Sequence, residues 1–519
     1  MTGQGSSTYN AAADLIERNL AAGRDAKTAF IDDRGQYSYA ELAERTSRFA
    51  HLVRDLGVHP EQRVLLCLHD TIDFPTAFLG AIKAGVVPVA VNTQLSADEF
   101  AFMLADSRAR VVVVSAPVLP IMDAAMAQLP EPRPVLVVSS SDGQEHSLAR
   151  MLSEMPTVFE TAPTHPDEPC FWLYSSGSTG RPKGTVHVHS SLIGTAELYA
   201  IPVLGIDDSD IVFSAAKLFF AYGLGNSLTF PMAVGATSVL MAERPTPAAV
   251  SWILREHRPT IFCGVPTLYN TMLAGPDLPE RDELSLRLCV SAGEPLPQEI
   301  GRRWSARLGV DILDGIGSTE MLHIFLSNWR DGVRYGTTGK PIPGYELKIV
   351  DDEGRLVRRG EIGDLLVSGP TSAALYWNNR ERCRETFIGR WTRTGDKYFE
   401  DEDGYYVYCG RSDDMLKVSG MYVSPAEVEA TLIEHEDVLE AAVVGAPDDD
   451  GLIKPKAFVV VKPGVAPSEA LVEALEVHAH SRLAPFKCPR WYAFIDDLPK
   501  TATGKIQRFK LREQSGSNL

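Results

Sequence analysis

The sequence lacks most of the features that would set it apart from ordinary globular proteins. Its seven cysteines, at 67, 170, 263, 289, 383, 409 and 488, form no CxxC pair. A disulfide framework is therefore not expected, and an odd number of scattered thiols fits a reducing compartment. The first residues carry no basic-then-apolar export pattern, and no run of about eighteen apolar residues follows, so no membrane span is expected. A cytoplasmic location is the resulting expectation. Positive charge is scarce, with 50 Lys and Arg against 68 Asp and Glu, a net charge of -18. Nucleic-acid binders need a basic face, so no nucleic-acid partner is expected; a nucleotide held by a few local cations is not excluded. Internal repeats and low-complexity segments are also missing.

What is there is a chain of 519 residues, 45% hydrophobic and 23% charged. That is too long for one core, and the composition is that of a globular protein. A homodimer is compatible with it. From Tyr9 onward, helix-period and strand-like segments alternate. The pattern predicts helices over Tyr39–Gly57, Phe74–Gly85 and Ser96–Asp106, the last opened by a capping Ser, and strands over Arg63–Leu68, Val87–Val91 and Ala109–Ser115. Such alternation predicts an α/β fold, with parallel or mixed sheets covered by helices in a large N-terminal domain. The pattern changes after Gly410-Arg411. Ser412-Asp413-Asp414 has no apolar periodicity, and Ser424-Pro-Ala-Glu427 then reads as a helix start. Strands over Ala441–Val444 and Lys456–Val461 and a helix over Ser468–Leu483 complete a small α+β unit. The expected division is 1–411, a hinge at 412–413, and a mobile lid over 414–519.

The most informative stretch is Tyr174-Ser-Ser-Gly-Ser-Thr-Gly-Arg-Pro-Lys-Gly-Thr-Val186. Its glycines let backbone N–H groups turn toward one point, Ser175, Ser176, Ser178 and Thr179 add donors, and Arg181 and Lys183 add positive charge. That suits a polyphosphate cradle. It is not a Walker A loop, because Lys183 is preceded by Pro182 and followed by Gly184. By itself it also reads as a flexible polar surface loop. Three later segments fit the same chemistry. Asp314-Gly-Ile-Gly-Ser-Thr-Glu320 puts a carboxylate beside a hydroxyl after a glycine turn, which suits a hard cation bridging phosphates. Thr392-Arg-Thr-Gly-Asp396 with Tyr408-Cys-Gly-Arg411 offers a carboxylate for ribose hydroxyls and an arginine behind it. Pro499-Lys-Thr-Ala-Thr-Gly-Lys505 presents a lysine on a small turn.

In their order and spacing these four segments resemble the acyl-adenylate-forming superfamily of acyl- and aryl-CoA ligases, adenylation domains and luciferases. Lys217-Leu-Phe-Phe-Ala-Tyr-Gly-Leu-Gly225, Ser291-Ala-Gly-Glu-Pro295 and Ser318-Thr-Glu-Met-Leu-His-Ile324 are similar to the benzoate-CoA ligase branch. The resemblance implies an AMP-forming ligase using ATP, Mg²⁺, CoA and an aromatic carboxylic acid. On that basis Ser175, Ser176, Ser178, Thr179 and Lys183 would hold the β- and γ-phosphates. Thr319 would meet the α-phosphate, Glu320 would bind Mg²⁺, and Asp396 would accept from the ribose with Arg411 assisting. Lys505 would bridge the acid and the α-phosphate. Gly293, Glu294, Asp314, Gly315 and Ile316 would surround the base. The family often has an aromatic residue where this chain has Ile316, so adenine would be packed by an aliphatic side chain here.

The same resemblance places Phe220, Ala221, Tyr222, Ala292, Gly317, His323 and Ile324 around a planar ring. The bland alternative is that Phe219 and Phe220 are core aromatics, and one of them is expected to be. Rotation about Asp413 would exchange Lys505 for the loop Lys417-Val-Ser-Gly-Met421, with Gly420 letting a pantetheine arm pass. Asp413 also reads as a turn or capping residue. His187 and His189 share a face of an expected strand, and without a third ligand at metal spacing they read as packing or hydrogen-bonding residues. Gly223-Leu-Gly225 does not suggest a dinucleotide fold. Two other functions stay open: an enzyme that loads aryl groups onto a carrier protein, and a nucleotide-binding regulator, against which the retention of Lys505, Glu320 and Asp396 speaks. If the rotation account holds, Lys505→Ala abolishes adenylate formation, followed by pyrophosphate exchange, yet still converts supplied benzoyl-adenylate to the thioester. Equal loss of both half-reactions would contradict it.

Overall fold

Serine caps commit the first helices locally. Ser38 and Ser96 each accept from the backbone N–H three residues on, while Glu41 and Glu99 reach back to the capping N–H, closing capping boxes for Tyr39–Asp55 and Ala97–Ser107. The computed structural model of the protein describes residues 8–139, 146–175, 182–418, 421–448, 452–500 and 506–515. The strands and helices expected from the N-terminal periodicity are present within two residues of their expected ends.

Two large sheets carry the N-terminal region. Among the described residues one has seven strands, ordered Leu375–Tyr376, Lys183–Val188, Pro169–Ser175, Val87–Ala90, Arg63–Cys67, Val111–Ser115, Val135–Ser139. The last five run parallel, and the pairings at the other edge are antiparallel. The second has nine strands and is parallel from Thr28–Asp32 through Ile312–Gly317, with antiparallel strands at both edges. A third sheet of five antiparallel strands, built from Glu346 to Arg411, had no counterpart in the periodicity. Its longest strand, Trp391–Glu400, has ten residues but buries them in no regular alternation, and Phe387–Ile388 has only two.

The core lies between the two large sheets, where Phe30, Val64, Phe78, Phe171, Val212 and Leu313 come together, all fully or almost fully buried. The helix Asp73–Lys83 is buried along its whole length, as expected of a helix with no solvent face. Beyond Arg411 a separate core forms around Val428, Leu432, Val443, Val459 and Leu475. It is wrapped by the helices Pro425–Ile433 and Glu469–His480 and by the sheet Val438–Pro447, Ile453–Val461, Trp491–Phe494. Ser424 and Ser468 cap the two helices. His187 and His189 do not share a strand: His187 is in Lys183–Val188, and His189 opens the helix His189–Thr195. The strand ends one residue early because Ser190 N–H and His189 N–H bond back to Pro166 and Glu168 carbonyls.

The parallel strands of the second sheet end side by side, so Gly264, Ser291 and the Asp314–Gly317 segment line one edge. Ligands of open α/β sheets bind outside such carboxyl ends. A second core backs this sheet, centred on Trp304, which is 0% exposed and meets the Tyr269 ring edge-on at 4.7 Å. Trp304→Ala is expected to destabilise this region by about 3–5 kcal/mol, read as a lowered urea midpoint; a loss under about 1 kcal/mol would mean that the site collapses around the gap.

Candidate active site

The glycine-rich loop springs from an antiparallel hairpin whose last paired residues are Ser175 and Lys183. Ser176, Ser178, Thr179 and Arg181 lie outside the described residues, as do Gly420 and Lys505. The hairpin aims Lys183 at the turn that carries Glu320: Nζ stands 3.8 Å from Oε1. Burial pushes the Lys183 ammonium below its ordinary pKa, and Glu320 opposes that shift. His187, on the same strand, donates from Nε2 to the Thr319 carbonyl at 2.7 Å and stacks on Phe171. It thereby fixes the Thr319–Glu320 turn from beneath. Ala373 N–H donates to the Glu320 carbonyl at 2.7 Å from the other side.

Asp396 and Arg411 face each other across adjacent strands of the third sheet. Nη1 of Arg411 lies 3.0 Å from Oδ1 of Asp396 and also donates to the Thr394 carbonyl. The carboxylate holds the guanidinium firmly charged, above its usual range. Arg411 is also among the charges that depress Lys183, so the Asp396–Arg411 pair lies within electrostatic reach of the Lys183–Glu320 pair. Asp314 is paired in register with Ser291 on the neighbouring strand. It is 6% exposed, and its Oδ1 is buried with no hydrogen-bond partner among the described residues. Burial pushes this carboxyl well up, and an amino group donated by a ligand would restore its charged form. Ile316 is half-buried on the same strand. Gly293, at φ +92, turns the chain after the neighbouring strand, and Glu294 accepts from Thr267 at 2.9 Å.

Of the expected ring-contacting residues, Tyr222 and Gly317 meet His323, which is packed among aromatic rings. Its imidazole lies edge-on to Phe230 at 4.5 Å and near Tyr199 and Tyr222 at 5.5 and 5.6 Å, and its Nε2 is 3.3 Å from the Tyr222 carbonyl. Two glycines make room for it. A Cβ on Gly225 would sit 2.3 Å from the imidazole Cδ2, and one on Gly317 would sit 2.5 Å from the His323 carbonyl. Gly225 is thus a packing glycine. Tyr222 is tethered by its hydroxyl between the Gly264 and Val290 carbonyls, at 3.2 and 3.0 Å. Of the aromatic pair, Phe219 is core at 5% exposure, while Phe220 is half-buried and meets it edge-on. Ala292 and Ile324 are buried beside them and Ala221 is half-buried.

Two residues in this region escaped the reading of the sequence. Asp70 is buried and accepts from the Leu218 N–H, pinning the Lys217–Phe220 segment from the other sheet; burial raises its carboxyl to about 6, with Lys217 opposing. Tyr376 donates to Glu320 Oε1 at 2.6 Å and lies 3.4 Å from Lys183 Nζ. Neither sits in a glycine-rich motif, and both are far from their partners in sequence. The signal for Asp70 was an acid just past a strand that is apolar from Val64 to Cys67.

The family model described as AMP-binding enzyme matches residues 16–377, and that of the AMP-binding enzyme C-terminal domain matches residues 427–505. The chain is 63% identical to the benzoate–CoA ligase of Thauera aromatica, over 97% of this chain and 96% of that one. It is 51% identical to a 4-hydroxybenzoate–CoA/benzoate–CoA ligase of Rhodopseudomonas palustris, over 98% and 94%. The crystal structure of a benzoate CoA ligase from Burkholderia xenovorans superposes with a TM-score of 0.92 at 55% identity, over 97% of this chain and 100% of that one.

Buried histidine gives the site region a pH signature. Burial lowers His187 to about 4, with the Thr319 carbonyl and Glu320 opposing, whereas an unfolded histidine titrates near 6.5. A group depressed in the folded state stabilises above its unfolded pKa, and that contribution is lost as pH falls. Between pH 6.5 and about 4 the wild-type unfolding midpoint should therefore fall more steeply than that of His187→Asn, followed by thermal melts at matched ionic strength. Parallel curves would refute this.

Proposed function

The chain belongs to the AMP-binding enzyme family, and from that premise we propose that it is an ATP-dependent aryl acid:CoA ligase of the benzoate type. It makes an aryl-adenylate with release of pyrophosphate, then the aryl-CoA thioester and AMP. The observation that carries the aromatic substrate is the cluster around His323, where rings from Phe230, Tyr222 and Tyr199 converge and the Tyr222 hydroxyl reaches the carbonyls of Gly264 and Val290 at the sheet edge. His323 is lowered to about 3 by burial, so this wall stays uncharged at neutral pH and suits a ring rather than a charged substituent.

The chemistry follows from what a carboxylate cannot do. Oxide is too poor a leaving group for a thiol to displace, so the acid is first joined to AMP, one hard step being split into two. A carboxylate oxygen bonds to the α-phosphorus as the bond to the bridging oxygen breaks, and pyrophosphate leaves. The CoA sulfur then bonds to the acyl carbon, its proton going to solvent, as AMP departs. In this reading Lys183 and the loop it closes bind the outer phosphates, and Thr319, steadied by His187, meets the α-phosphate. Asp396 accepts from the ribose, Arg411 fixing that carboxylate, and Asp314 accepts from the exocyclic amine of adenine beside Ile316. Glu320 suits Mg²⁺: Oε1 is taken by Tyr376, no described residue donates to Oε2, and a magnesium ion needs only one or two carboxylates besides nucleotide oxygens. Glu320 would hold the ion, which would offset the negative charge of the phosphates.

Lys505, on the mobile lid, supplies a cation between the two anions that must meet. The hinge is assigned to 412–413. Asp414 is tied to Arg512 at 2.8 Å and so goes with the lid in this reading, whereas Asp413 is largely exposed and, among the described residues, ion-paired to Arg411 alone. With its unpaired thiols the enzyme fits a cytoplasmic setting. The test is a pyrophosphate-release screen over benzoate, hydroxy-, amino- and halobenzoates, cinnamate and medium-chain fatty acids, followed by thioester analysis with CoA or a carrier protein. Benzoate or a small substituted benzoate is expected to lead, with CoA as acceptor. Preference for a long aliphatic acid, or loading of a carrier but not CoA, would overturn the reading.

A further inference from the structure

The residue that stands between the two opposite charges of the nucleotide site is Tyr376. Its position is fixed by backbone from every side. Tyr376 pairs with Thr185 on the lysine strand, and Trp377 N–H donates to the Gly184 carbonyl at 2.8 Å. Upstream, Ala373 N–H and the Thr371 hydroxyl hold the carbonyls of Glu320 and Met321. The Cys383 sulfur clasps the Tyr376 peptide, accepting from its N–H at 3.1 Å and donating to its carbonyl at 3.4 Å. The ring packs on Phe387 and lies 4.5 Å below the Lys183 ammonium. The hydroxyl then has one place to be. It donates to Glu320 Oε1 at 2.6 Å and accepts from Lys183 Nζ at 3.4 Å, while ammonium and carboxylate stay 3.8 Å apart. Burial and the Glu320 charge keep the phenol protonated, as a donor must be.

We propose that Tyr376 is the positioning residue of the ATP site: its hydroxyl aims the Glu320 carboxylate at the metal and keeps it from closing onto Lys183. Without that hydroxyl, the carboxylate loses a charge-assisted hydrogen bond that orients it. The ammonium and carboxylate are then free to form a direct pair, which an arriving polyphosphate has to break. Partners that orient a metal-binding carboxylate matter nearly as much as the ligand itself. The inference rests on the adenylating reading above, but its test needs neither an aryl acid nor CoA.

Tyr376→Phe keeps the ring and deletes only the hydroxyl. Mn²⁺ binding in the presence of a non-hydrolysable ATP analogue, followed by electron paramagnetic resonance, should weaken about ten- to a hundredfold. Calorimetric affinity for the analogue should fall with it, while the unfolding midpoint stays within about 2 °C of wild type. Unchanged Mn²⁺ and nucleotide affinity would overturn the proposal. A second arm separates positioning from packing. In a Lys183→Gln background there is no ammonium for Glu320 to collapse onto, so Tyr376→Phe should cost several-fold less there than in the wild type. Strictly additive effects would remove the part of the proposal that concerns Lys183. Should the substrate screen fail to find an aryl acid, these binding measurements would still stand or fall by themselves.

Discussion

A site for a polyphosphate has to keep an ammonium and a carboxylate close together and unspent. Lys183 and Glu320 are both mostly buried, and their natural fate is to neutralise each other. Removing opposite charges from water is costly unless they pair or find hydrogen bonds. The fold resolves this by sewing one short strand, Leu375–Tyr376, between the lysine strand and the glutamate turn, so that a phenol satisfies both groups in part. Much of the surrounding architecture serves that arrangement: the edge of the seven-stranded sheet, the His187 bond to Thr319, and the Ala373 bond to Glu320.

The cluster around His323, proposed to hold the aryl group, follows a different logic. There the problem is not charge but shape, and the solution is to bring an imidazole deep among aromatic rings by giving up side chains at Gly225 and Gly317. Burial leaves that imidazole neutral, and the Tyr222 hydroxyl is occupied by main-chain carbonyls. A wall of this kind selects for flatness and fit more than for particular polar substituents, since a methylene-sized difference is worth only about 1–3 kcal/mol.

Legibility tracked the distance over which each signal acts. Helix caps are local signals: Ser96 and Ser424 cap where the sequence placed them, and Ser38 and Ser468 cap at the starts of two further expected helices. The parallel strands Arg63–Cys67, Val87–Ala90 and Val111–Ser115 are nearly continuous apolar runs, and those too were plain. The antiparallel third sheet was not, because Phe387–Ile388 has only two residues and Trp391–Glu400 buries its ten in no regular alternation. His187 and His189 were read as one strand face, and the turn of the chain into a helix between them came from backbone bonds to Pro166 and Glu168.

By itself the sequence determined the chemistry in prospect: glycine, hydroxyl and cation together, a carboxylate after a glycine turn, and an acid–arginine pair that proved to be cross-strand neighbours. Those are properties of short segments, and residue type alone confers them. Only the tertiary structure decided that Tyr376 stands between Lys183 and Glu320, or that Asp70 secures the Lys217–Phe220 segment. Partners separated by 193 and 148 residues leave no periodic or local trace in the chain, because a hydrogen bond depends on where folding brings two atoms, not on where they lie in sequence.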